Sequence, residues 1–278
     1  MSATATAPHT DELTALIARL ADAARAETLP RFRTGAHADD KNFGGDFDPV
    51  TDADREGERA IRVALADARP HDGVLGEEFP ELKGDTGYRW VLDPVDGTRA
   101  FVCGLPSWTT LIGLEKDGAP VLGLIDQPYT DERWIGGFGE AFFIRSGERR
   151  AIETSKVDDL AAARIACTDP RPDGYFTIVE SRAFAELSNR ARIARFGFDA
   201  YAFAMLAMGE HDIVVDAHLK AWDAAGPIAL IEAAGGVASD WTGAPFGSSP
   251  GGRIVASANA ALHEQALAVL SQAPETAA

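Results

Sequence analysis

The first strong periodicity along the chain is helical. Leu13, Leu16, Ile17, Leu20 and Ala24 recur at three- and four-residue intervals, which predicts an amphipathic helix over about 11–29. Thr10 reads as its cap, Asp11 and Glu12 as its first turn, and Pro30 as its stop. A loop rich in glycine around 44–49 leads into a second predicted helix over 51–68. The pattern then shortens to apolar or alternating runs, predicting strands at 73–75, 90–92, 109–115, 120–125, 133–136 and 141–145. Lys116-Asp117-Gly118 marks the turn between two of them. Gly136-Gly-Phe-Gly has the look of a phosphate loop out of context, but no long helical pattern follows it, so it reads as a hairpin.

From about 155 the texture changes. Short strand-like units at 164–167 and 176–179 precede a helix near 182–191 and another at about 200–208, ended by Gly209. A strand at 213–215, a helix over 222–234 ended by Gly235 and Gly236, and a short strand at 237–239 follow. Strands alternating with helices imply a layered α/β arrangement. The hairpin-rich first part and the alternating second part predict two subdomains, 1–150 and 151–278, with no internal repeat and no low-complexity linker. Both chain ends, 1–9 and about 272–278, are small and polar and read as frayed.

Composition narrows the function classes. The 278 residues carry a formal charge of −17, which disfavours contact with a nucleic-acid backbone. The same charge would repel any phosphate ester unless divalent cations offset it locally. The two cysteines, Cys103 and Cys167, show no CxxC spacing and read as reduced thiols of a cytoplasmic protein. The amino terminus lacks the basic start and apolar stretch of a secretory signal, and no apolar run approaches the ~18 residues of a membrane span. The six histidines are scattered, with no metal-binding spacing among them.

Candidate chemistry lies in the acids. LDPVDGTRAF, residues 92–101, sets Asp93 and Asp96 at a strand end, followed by Gly97 and Thr98. Further acids sit in DPVTDAD (Asp48, Asp54), GEEFP (Glu77, Glu78) and AWDAAG (Asp223). Taken singly each has an ordinary role, as a turn residue, a helix-surface acid or an acid favoured by a helix dipole. Together they suit Mg²⁺, a hard cation that takes oxygen ligands, and a pair of such ions suits displacement at phosphorus. A helix starting at Gly97 and Thr98 would offer free N–H groups to a phosphate.

GEE, WVLDPVDGTRAF and WDAAGPIALIEAAGG, in that order and joined by DPVTDAD, resemble the signatures of the inositol monophosphatase family over about 10–265. The resemblance implies a five-layer αβαβα sandwich, two or three Mg²⁺ ions, hydrolysis of small phosphate monoesters without a covalent phosphoenzyme, and a homodimer. By the same resemblance Glu77, Asp93 and the Val95 carbonyl match one metal site. Asp93, Asp96 and Asp223 match a second, and Glu77 reaches a third through water. Asp54 and Thr98 match the pair that orients and deprotonates the attacking water, and Gly97 and Thr98 the phosphate donors. Asp48 and Lys41 match accessory positions.

DGTRAFVCGLPSWTTLIGL, VLGLIDQPYTDERWIGG and GFDAYAFAMLAMGEHDIVVDAHLKAWD resemble the histidinol-phosphatase branch of that family. Gly197-Phe198-Asp199-Ala200-Tyr201 departs from that branch's G-D-x-Y by one residue. Asp199, expected at a helix start, and Asp216 are two acids beyond the metal set, which suits a cationic leaving group through charge-assisted hydrogen bonds. Each has an alternative, a helix cap for Asp199 and a sugar-hydroxyl contact for Asp216. Histidinol phosphate is the expected substrate. Inositol 1-phosphate is the alternative, and a non-enzymatic, partner-binding role is the remaining one.

Overall fold

The computed structural model describes residues 7–35, 39–40, 49–172, 174–248 and 251–271. Lys41, Asp48 and most of the predicted 44–49 loop lie outside the described residues. Helix α1 (Ala7–Thr28) runs into a 3-10 turn (Leu29–Arg31), and the two-residue strands β1 (Asp39–Asp40) and β2 (Pro49–Val50) pair with each other. Helix α2 (Asp52–Ala68), β3 (Gly73–Gly76), β4 (Tyr88–Asp96) and the short α3 (Thr98–Val102) follow. A meander comes next: β5 (Thr109–Lys116), β6 (Ala119–Gln127), β7 (Glu132–Gly137), β8 (Glu140–Arg145) and β9 (Glu148–Ala151). The remainder is β10 (Arg164–Cys167), α4 (Ile178–Arg190), β11 (Ile193–Phe196), α5 (Tyr201–Ala207), β12 (Ile213–Asp216), α6 (Ala221–Ala233), β13 (Val237–Ser239), β14 (Ile254–Ser257) and α7 (Ala260–Leu270).

Two predicted elements are corrected. Helix α1 starts at Ala7 rather than behind a Thr10 cap, so Asp11 and Glu12 lie inside it. The strand expected at 176–179 is the start of α4, where Thr177 caps the helix and Glu180 closes a capping box. Phe176-Thr-Ile-Val reads equally as a strand or a helix start; the Thr177-x-x-Glu180 signature is what marks the helix. The glycine-rich 136–139 segment is the β7–β8 hairpin, as expected.

Strands β3 to β9 form one sheet in sequence order, parallel between β3 and β4 and antiparallel thereafter. The second sheet has the order β11-β10-β12-β14-β13. Alternation along the strands divides most of the apolar residues into three large cores, with a smaller fourth cluster of Phe32, Ala53, Val95, Ala100, Phe101 and Trp108. Ile112, Leu114, Leu122, Leu124 and Ile135 face α1 and α2, whereas Leu111, Ile125 and Trp134 face the middle of the molecule. In the second sheet Ala166, Val214, Ile254 and Ala256 face that same middle, and Ile165, Ile213, Val215 and Val255 face the outside, with Leu187 and Leu262 of α4 and α7. Helices α5 and α6 fill the middle, so the layers read αβαβα. Strands buried on both faces read as continuous apolar runs, which is why "IVVD" and "RIVAS" lack alternation.

The seating of α6 is set by glycine. Gly113, Gly123 and Gly136 are direct cross-strand neighbours on β5, β6 and β7. A Cβ at Gly123 would lie 1.9 Å from the Gly226 carbonyl oxygen of α6, and one at Gly113 only 2.8 Å from the Ala225 side chain. The row of glycines therefore forms a trough, and the Ala224-Ala225-Gly226 segment of α6 lies in it. This contact brings the first turn of α6, and Asp223 with it, towards the end of β4.

Candidate active site

Asp93 and Asp96 are three apart, so a regular strand would send them to opposite faces. The structure instead shows a register shift between them: Asp93 pairs with Leu111 and Asp96 with Thr109, so β4 carries one extra residue. This bulge turns both acids to one side. Thr110 Oγ1 donates to the Pro94 carbonyl at 2.7 Å and supports it from β5. Carboxylate oxygens of Asp93, Asp96 and Asp223 lie within 4.8 Å of one another.

These three acids, with Glu77, Val95, Gly97 and Thr98, line a cavity of about 270 Å³. Glu77 follows β3, where its backbone is tied to the Leu92 carbonyl. The turn behind it depends on a residue the sequence reading did not single out. Fully buried Glu58 of α2 accepts from the Glu78 N–H at 2.7 Å and pairs with Arg62 at 2.7 Å. A Cβ at Gly76 would lie 2.1 Å from that carboxylate, so only glycine fits there. Glu78 contributes this backbone donor and does not line the cavity.

Asp54 is buried at the start of α2. Its Oδ2 accepts the Thr51 N–H at 2.8 Å, the reciprocal half of the capping interaction, and its Oδ1 accepts from Thr98 Oγ1 at 3.2 Å. The Thr98 hydroxyl also lies 3.1 Å from the Val95 carbonyl. Close approach of α2 to the β4 bulge is permitted by Gly57, where a Cβ would lie 2.8 Å from Pro94. Gly97 adopts φ +79° and heads α3, the helix expected behind the motif.

Electrostatics describe the same cluster. Burial, followed by the charges of Glu77, Asp96 and Asp223, raises Asp93 well above the ordinary carboxylate range. Asp96 is raised by burial and then by Asp199 and Asp223. Burial lifts Asp223 to about 7 and Asp54 to about 6. An assembly of buried acids that repel one another, with oxygen donors only, fits a hard divalent cation. A cation at these oxygens would offset both causes of the upward shifts, stabilising the ionised carboxylates against burial and against one another.

The two expected substrate acids reach the same cavity in different ways. Asp199 stands before α5 in the left-handed region, φ +48°, and its side chain does not cap the helix; the N–H of Ala200, the N-cap residue, donates to Asp96 at 2.7 Å. Ser107 Oγ donates to the Asp199 carboxylate at 3.5 Å, and a Cβ at Gly97 would lie 2.9 Å from it. Burial raises Asp199 to about 6, with Ser107 and Arg99 opposing. Asp216 is fully engaged at the end of β12, accepting from the Thr168 N–H at 2.8 Å and Thr168 Oγ1 at 3.2 Å. Burial pushes it up to about 7. Thr168, Tyr175, His218, Trp222 and Arg99 also line the cavity and were not singled out from sequence. Only Trp222 and Arg99 carried a signal, as direct neighbours of Asp223 and Thr98.

Fold and site together define a layered αβαβα protein with an acid-rich centre suited to a hard cation. The comparisons agree. Residues 9–275 match the model of the inositol monophosphatase family. A histidinol-phosphatase of Mycobacterium tuberculosis is 33% identical, covering 92% of this chain and 97% of its own. An inositol-1-monophosphatase of Rhizobium meliloti is 34% identical over 72% of this chain and 74% of its own. Among solved structures, an inositol monophosphatase from Zymomonas mobilis superposes with a TM-score of 0.81 at 37% identity, covering 94% of this chain and 98% of that one. The chain belongs to the inositol monophosphatase family, a family of metal-dependent phosphatases.

Proposed function

We propose that the protein is a Mg²⁺-dependent histidinol-phosphate phosphatase. Asp93, Asp96 and Asp223, with Glu77 and the Val95 carbonyl, are the groups that would hold the ions. When bound, such ions supply charge neutralisation, Lewis acidity towards the phosphoryl oxygens and a lowered pKa for water. The chain supplies the rest. The Thr98 hydroxyl, within reach of Asp54 Oδ1, orients the attacking water, and Asp54 receives its proton at that oxygen. The N–H groups of Gly97 and Thr98 meet the phosphate at the start of α3.

The observation carrying the substrate reading is Asp199, an acid on the cavity wall beyond the metal set whose contact with Ser107, at 3.5 Å, is long. The leaving group histidinol carries an ammonium and an imidazole, which a carboxylate binds by charge-assisted hydrogen bonds. Asp216, held by Thr168, shapes the same wall. Inositol 1-phosphate is the second reading, favoured by relatives of similar identity bearing that activity in their names. The test compares kcat/KM for histidinol phosphate, inositol 1-phosphate, fructose 1,6-bisphosphate and phosphoadenosine phosphate with Mg²⁺. Histidinol phosphate is expected to lead. A lead for inositol 1-phosphate overturns the substrate, and no metal-dependent phosphate release from any ester overturns the phosphatase reading.

A further inference from the structure

Glu58 and Arg62 of α2 do not line the cavity, yet they meet the turn that carries Glu77 into it. Glu58 is fully buried, and its two carboxylate oxygens have different partners. Oε2 accepts the Glu78 N–H at 2.7 Å, and Oε1 accepts from Arg62 Nε at 2.7 Å. Arg62 also donates to the Phe79 carbonyl at 3.1 Å. The pair therefore engages a donor and an acceptor of the turn behind β3 at once.

Glu77 lies between two anchors. Its own N–H bonds the Leu92 carbonyl of β4, one residue before Asp93, at 3.3 Å. The next N–H, that of Glu78, bonds Glu58. Peptide units are planar, so fixing the two that flank one Cα fixes the direction of its Cα–Cβ bond. One anchor comes from the strand that bears Asp93 and Asp96, and the other from α2. Gly76 completes the arrangement, because a Cβ there would lie 2.1 Å from the Glu58 carboxylate.

Burying an ion pair costs solvation that an apolar contact would not. A neutral side chain cannot do the same task, however: an amide has one acceptor oxygen, whereas Glu58 accepts on both. The same face of α2 carries Asp54 one turn earlier. One helix thus holds both the carboxylate that meets Thr98 and the brace behind Glu77.

We propose that Glu58 and Arg62 are a positioning pair that sets the divalent-cation affinity of the site by fixing the backbone beneath Glu77. This deepens the proposed function and rests on it only in taking Glu77 as a ligand of the ion.

The test is calorimetric titration of metal-free protein with Mg²⁺, beside urea unfolding of the same samples in chelator. Glu58→Gln leaves one acceptor for two donors and is expected to weaken Mg²⁺ binding by about tenfold, the scale of losing a partner behind a metal ligand. Adding Arg62→Met frees the amide oxygen for the Glu78 N–H and is expected to return the affinity to within about threefold of wild type. Gly76→Ala, which displaces the carboxylate from the opposite side, is expected to reproduce the loss if Glu58→Gln does not fold. Glu77→Gln is the reference for loss of the ligand itself. If Glu77→Gln weakens binding but Glu58→Gln and Gly76→Ala lower only the urea midpoint, the pair is purely structural and this proposal alone is overturned. Failure of the double variant to recover would assign the loss to charge rather than to the Glu78 bond, and would overturn the backbone route. No Mg²⁺ binding by wild type, or no loss in Glu77→Gln, would overturn the proposed role of Glu77 and this inference with it.

Discussion

At the residue scale, the arrangement around Asp93 predicts opposite effects on activity and stability. Asp93→Asn removes a proposed ligand and should lower kcat by on the order of a thousandfold, the loss of several kcal/mol of transition-state stabilisation. The same change removes one of several mutually repelling buried carboxylates, so the metal-free variant should melt above metal-free wild type. Melting curves in chelator, read beside phosphate release in Mg²⁺, check both halves; full activity would mean Asp93 is not a ligand. Thr98 separates geometry from chemistry in a similar way. Thr98→Val should lower kcat by about a hundredfold because the hydroxyl within reach of Asp54 is lost, whereas Thr98→Ser should stay near wild type. Asp93, Asp96, Thr98 and Asp223 could be picked out from motif chemistry because each lies beside turn or small residues in a short stretch. Glu58 could not. Its role depends on a contact with Gly76 and Glu78 from a different element, and in the sequence it is one acid among several on an amphipathic helix.

At the element scale, the glycine trough makes a specific demand. Gly123→Ala places a Cβ 1.9 Å from the α6 backbone, where no flexible side chain can give way. Overpacking of this kind costs about 1–3 kcal/mol or more. The variant should therefore show a lower urea midpoint together with weaker Mg²⁺ stabilisation, since displaced α6 carries Asp223. A lower midpoint with unchanged Mg²⁺ response would show that α6 is not what places Asp223. Among the elements, those with strong periodicity or clear punctuation were legible: α2, expected over 51–68 and found at Asp52–Ala68, the β5–β6 turn, and α6 ended by two glycines. The strand units β9, β11 and β14 and helix α7 were not predicted. The first two are short and largely exposed, so they lack an apolar pattern, while β14 is buried on both faces and lacks alternation.

At the scale of the whole molecule, the acid centre links stability to pH. Burial holds Asp54 at about 6 and Asp216 and Asp223 at about 7, all above their ordinary values near 3.8. The native state therefore binds more protons than the unfolded chain between these limits, so stability must fall as pH rises through that range. Metal-free protein should be most stable relative to this term below about pH 4 and should lose it progressively up to pH 7. Mg²⁺ should restore stability most strongly at the upper end, where the carboxylates are ionised and available to it. Melting temperatures from pH 5 to 8, in chelator and in Mg²⁺, check the sign. Parallel curves would mean the ions do not bind these acids.

The strongly patterned helices and strands, the acid motifs and the resemblance that joins them are local properties, and the sequence by itself determined them: short-range periodicity and turn chemistry do not require distant contacts. The tertiary structure alone decided how those parts meet. The β4 bulge aims Asp93 and Asp96 together, the glycine row delivers Asp223 to them, and Asp96 rather than Asp199 accepts from the Ala200 N–H ahead of α5. It also set Tyr175 under Arg99 across the cavity, 76 positions apart in the chain. The physical reason is the same in each case: register, close approach and shared solvent exclusion belong to pairs of elements, and neither partner's sequence carries them alone.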